Sequence, residues 1–78
     1  MNIYLIEQEQ QVGYDTYDSA VVVAATEQDA KEITPSGRPW DSTYNDWCSS
    51  AEHVTAKLIG TATEGMEAGV VLASYNAG

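Results

Sequence analysis

Residues 19–33 read Ser19-Ala20-Val21-Val22-Val23-Ala24-Ala25-Thr26-Glu27-Gln28-Asp29-Ala30-Lys31-Glu32-Ile33. The apolar run Ala20 to Ala25 has strand length, is rich in β-branched valine and shows no polar alternation. That pattern predicts a central strand covered on both faces. The period then changes. Thr26 is placed to cap a helix by accepting from the backbone N–H of Asp29, in the manner of a capping box. Glu27 and Asp29 fall in the first turn, where the helix dipole favours acids. Ala30 and Ile33, three apart, share the face that packs on the sheet. Pro35 drives Thr34 out of the α region, so the helix ends near Ile33. So short a helix needs tertiary packing to persist.

Three further stretches have strand character. Met1 to Gln8 sets Ile3 and Leu5 on one face and Tyr4 and Ile6 on the other. It pairs antiparallel with the central strand across the connection 9–18, which is long for a tight hairpin. Val54 to Ala62 alternates Val54, Ala56 and Leu58 with Thr55, Lys57 and Ile59, and Val70 to Tyr75 follows a glycine-containing connection. These last two strands are expected to form a hairpin. The order ββαββ makes a single small α+β domain over residues 1–78. Its four-stranded, mainly antiparallel sheet carries one short helix on one face.

Between helix and third strand, T-P-S-G-R-P at 34–39 breaks regular structure. Trp40, Tyr44 and Trp47 fall at i, i+4 and i+7, which admits a short amphipathic helix capped by Asp41 or Ser42. Ser50 is a candidate cap for a further turn through Glu52 and His53.

Composition narrows the function. Twelve acids against Lys31, Arg38 and Lys57 give a formal charge of −9. Direct binding to nucleic acid or to an anionic membrane surface is disfavoured, and a protein partner with a basic surface is expected instead. No apolar run reaches the roughly 20 residues of a membrane span. Met1 to Gln8 lacks a basic leader and meets acid early, and the lone Cys48 suits a reducing compartment, so a cytoplasmic location is expected.

No catalytic or cofactor motif stands out. Cys48 and His53 are single and lack both further metal ligands at a recognisable spacing and an orienting third group. They read as an ordinary thiol and a surface imidazole. The Asp15–Asp18 pair lacks the alternate acids, glycine and terminal glutamate of a calcium loop. No catalytic residue, metal or cofactor is therefore expected. Two aromatic–acidic loops remain as candidate interface: Tyr14, Asp15, Tyr17 and Asp18, then Trp40, Asp41, Tyr44, Asp46 and Trp47. Such surfaces suit arginine-rich partners through ion pairing and cation–π contact. The competing reading makes the tryptophans core residues in a chain without Phe.

The strings I-Y-L-I-E-Q at 3–8, Y-D-T-Y-D-S-A-V-V at 14–22 and G-V-V-L-A-S-Y-N-A-G at 69–78 resemble small acidic proteins of tailed-phage and prophage genomes. The resemblance spans about the whole chain and carries no catalytic residue or ligand. It implies an intracellular accessory protein made during infection. By analogy within that class, it also implies an inhibitor of a host protein, such as a defence-system component in the manner of anti-CRISPR proteins. Two other classes compete. The loop aromatics could stack on the base of a nucleotide signal, although so few basic residues leave its phosphates without partners. If Val70 to Tyr75 lies at a sheet edge, it could pair across a two-fold axis, making the protein a homodimeric structural or assembly component.

Overall fold

A computed structural model describes residues 1–11, 13–38, 40 and 46–76. Strands β1 (Asn2–Glu7) and β2 (Thr16–Ala24), helix α1 (Glu27–Lys31), a 3-10 turn (Ala51–His53) and strands β3 (Thr55–Thr61) and β4 (Gly69–Asn76) follow one another. The architecture is the expected α+β domain, a four-stranded antiparallel sheet with one short helix.

The sheet order is β3-β1-β2-β4. The most apolar strands thus form the central pair, with Ile6 opposite Ala20 and Tyr4 opposite Val22. The expected hairpin of the last two strands does not form: β3 and β4 are the opposite edges of the sheet. An apolar strand reaches full burial only with neighbours on both sides, and the two central strands take β3 and β4 as those neighbours. The connection 62–68 accordingly runs from one edge to the other, at the end of the sheet where Asn2 pairs with both Thr61 and Ala24.

Thr26 accepts a hydrogen bond from the Asp29 N–H at 3.1 Å, and α1 closes at Glu32, one residue before the expected end. The helix packs against β1, β2 and β3. On this face Tyr4, Ile6, Ala20, Val22 and Ala24 join Ala30, Trp47, Cys48 and Val54 in the core, with Ile33, Trp40 and Tyr17 packed at its margin.

The second face differs from the expectation of full cover. Val23, at the end where connection 62–68 crosses, is fully buried, but Ile3, Leu5 and Val21 are half-buried and Leu72 is 68% exposed. The lack of alternation in 20–25 therefore records an apolar open face, as well as a covered one. Leu58, expected to point inward with Val54 and Ala56, is also exposed, because it lies on an edge strand.

Candidate functional site: the acidic end of the sheet

The last residues of β1, the first of β2 and β3 and the last of β4 meet at one end of the sheet, as antiparallel pairing requires. What shapes this end is a glutamine. The Gln8 side chain is buried and donates to the backbone oxygens of Gln11 at 2.7 Å and Tyr17 at 2.8 Å. Its Oε1 accepts from the Gln11 N–H at 2.8 Å. One amide thus stands in for ladder bonds that the irregular connection cannot make. Farther along, Thr16 donates to the Gly13 carbonyl at 2.8 Å, and Asp15 takes a left-handed backbone with φ 62°. Aspartate tolerates that conformation better than most residues.

This geometry builds a tyrosine corner. Tyr14 is 75% exposed. Tyr17 packs on the core margin and meets Tyr75 of β4, its cross-strand partner, with ring centroids 4.8 Å apart and planes tilted by 56°. Tyr75 donates its phenol to Asp15 Oδ1 at 3.2 Å. Partial desolvation, then the negative charge and hydrogen bonding of Asp15, push the Tyr75 phenol above its ordinary value. Nothing in the local sequence marks Tyr75 as part of this surface. The strand-end pairing that brings it to Tyr17 is a long-range property.

Beside the corner lies an open cleft of about 470 Å³, lined by Glu7, Gln8, Glu9, Asp18, Ser19, His53 and Thr55. Its lining includes Glu7, Glu9, Asp18 and His53, and neither Lys nor Arg. Asp18 reaches this cleft because the β2–β4 register shifts between Tyr17 and Ser19, leaving Asp18 as the extra residue of a bulge. From the cleft the open sheet face continues through Ser19 to an apolar patch of Leu5, Val21 and Leu72.

The second expected loop behaves differently. Asp41 and Tyr44, and most of the amphipathic turn proposed with them, lie outside the described residues. Trp47 is 5% exposed and belongs to the core, so it is a packing residue and not a presented anchor. Trp40 is half-buried against the same core and donates its indole N–H to the Glu32 carbonyl at 3.3 Å, fastening the segment after α1. Asp46 is buried as well. It accepts from Arg38 at 2.6 Å, and its carbonyl accepts from the Tyr17 N–H at 2.7 Å. Aromatics in a loop between turn signals become core here because a five-residue helix is too short to cover the sheet face alone.

Cys48 is buried, donates to the Ser50 carbonyl at 3.4 Å, and has its thiol pushed above the ordinary value by burial. A nucleophilic thiol needs the opposite shift. His53 is exposed on the 3-10 turn at the cleft. Among the described residues no group of three His, Cys, Asp or Glu side chains is arranged to hold a metal ion, and no helix is long and apolar enough to cross a membrane. No protein-family model, curated protein or solved structure matches this chain.

Proposed function

We propose that the chain is a non-enzymatic interaction protein that seats a basic segment of a protein partner at the acidic end of its sheet. The observation that carries this reading is the cleft lined by Glu7, Glu9 and Asp18, with no lysine or arginine among its lining residues. The carboxylates supply ion-pair and bidentate acceptors for arginine. Tyr14 and Tyr75, at the same end of the sheet, are exposed, and a guanidinium can stack on an exposed tyrosine ring. Leu5, Val21 and Leu72 add an apolar floor for the rest of the segment. The overall charge of −9 steers a basic partner toward the protein before contact.

On this reading the biological effect is blockade of the partner's basic surface. With the resemblance to small acidic phage proteins, the proposed target is a host protein, a defence-system component among the candidates, and the proposed setting is the host cytoplasm. A nucleotide-signal binder is the weaker reading, since an acidic lining repels phosphate.

A fluorescent deca-arginine peptide tests the site. The triple variant Glu7→Gln, Glu9→Gln, Asp18→Asn is expected to weaken binding at least tenfold. Neutralising Glu27, Glu64 and Glu67, which removes the same charge elsewhere, is expected to weaken it far less. Equal losses from both triples would mean that net charge attracts the peptide and the cleft does not bind it.

A further inference from the structure

Strand β4 is an edge of the sheet, and its outward backbone groups have no partner among the described residues. Its sequence, G-V-V-L-A-S-Y-N, holds no charged residue in a chain with fifteen Asp, Glu, Lys and Arg. Val70, Val71 and Leu72 are 41%, 54% and 68% exposed. The opposite edge is managed differently, because β3 carries Lys57 and leans on α1. Natural edges that stay single are blunted by charge, proline or cover. The β2–β4 pairing is irregular at two places: opposite Val21 and Val22, where Val71 is left as a bulge of β4, and between Ser74 and Tyr75, where the extra residue belongs to β2.

We propose that β4 pairs antiparallel with β4 of a second copy across a two-fold axis, making one continuous eight-stranded sheet. The occupant is a second copy for two reasons. An antiparallel edge is self-complementary under a two-fold axis, so each hydrogen bond is made twice without further design. The uncharged strand also lets two chains of −9 meet without opposing carboxylates inside the contact. An axis perpendicular to the sheet sets both α1 helices on one side and both open faces on the other. Leu72 lies at the edge of the apolar patch it shares with Leu5 and Val21, so pairing joins the two patches. Apolar contact thereby adds to the backbone bonds.

The salt dependence has a definite sign. Two acidic copies repel at long range, so added salt strengthens self-association, whereas it weakens the binding of a basic partner. Sedimentation equilibrium of the purified chain tests this. The expected mass rises from 8.4 kDa toward twice that value with concentration, and the rise moves to lower concentration in high salt. Val71→Lys, which sets like charges on facing edges, is expected to keep the chain monomeric. If that variant does not fold, amide exchange on the parent decides, with protection of β4 amides growing with concentration. An 8.4 kDa species up to near-millimolar concentration in high salt overturns the proposal, and leaves the edge to a strand of another protein. A dimer without added β4 protection overturns it equally.

Discussion

Arg38 Nη1 lies 2.6 Å from Asp46 Oδ2, and the Asp46 carbonyl accepts the Tyr17 N–H at 2.7 Å. One residue thereby holds the segment after α1 to the start of β2. The Asp46 side chain is 10% exposed and that of Arg38 is 45% exposed. Charge at residue 46 is consequently part of the structure that supports the tyrosine corner, although the sequence reads as a presented acidic loop.

Asp46→Asn is expected to cost about 1–2 kcal/mol in urea unfolding. That is less than for a fully buried pair, because water reaches the half-exposed guanidinium. Asp46→Lys should cost more, since it sets a second cation beside Arg38 in a nearly closed site. An Asp46→Lys variant as stable as the parent would show that the pair does not brace the fold.

Trp47→Ala should cost about 3–5 kcal/mol, as for other large core truncations, and that is enough to unfold much of so small a domain. Trp47→Phe should cost clearly less. Among the described residues the indole Nε1 is buried without a hydrogen-bond partner, so phenylalanine removes an unsatisfied donor while keeping most of the packing. Thermal and urea melts of the two variants give the comparison, and equal losses would contradict it.

Gln8→Ala should cost about 1–3 kcal/mol by stranding the Gln11 and Tyr17 carbonyls and the Gln11 N–H. Because these bonds shape the end of the sheet, the same variant should broaden the amide signals of residues 9–18 while those of α1 stay sharp. Unchanged signals at 9–18 would show that the loop keeps its form without the glutamine.

Alkaline pH should weaken the fold through Cys48. Burial raises its thiol pKa in the folded state above the ordinary value of 9.0. Above that value the unfolded chain loses the proton while the folded chain keeps it, so the unfolded state binds fewer protons and stability falls with rising pH. Stability is unaffected below the ordinary thiol value, and the loss grows until the folded thiol itself ionises. Tyr75, also raised, acts in the same direction at higher pH. The stability difference between the parent and Cys48→Ala, followed by urea unfolding from neutral pH to about pH 10, isolates the thiol. A difference that is flat across that range would contradict the assignment.

Much of the fold is legible locally. The valine run, the Thr26 cap and the alternation of the flanking stretches specify strands and helix because each depends on neighbours within a few residues. Pairing of β3 and β4 at opposite edges is not legible, since it depends on which strands most need two neighbours. The sequence reads 14–18 as a loop, but β2 begins at Thr16, and Tyr75 meets Tyr17 and Asp15 only through strand pairing. The cleft is hidden for a similar reason: Glu7, Glu9, Asp18 and His53 come from three separate stretches. The tryptophans mislead because a loop rich in Asp and Ser resembles a surface, and only the shortness of α1 makes it serve as core.

Amide chemical shifts of the isotope-labelled protein, titrated with deca-arginine, read out where a basic segment binds. The largest changes are expected on Glu7 to Glu9, Asp18, Ser19 and His53, extending to Tyr14 and Tyr75, and they are expected to collapse in high salt. Changes spread evenly over the acids of α1 and connection 62–68, or absent from the cleft, would contradict binding in the cleft.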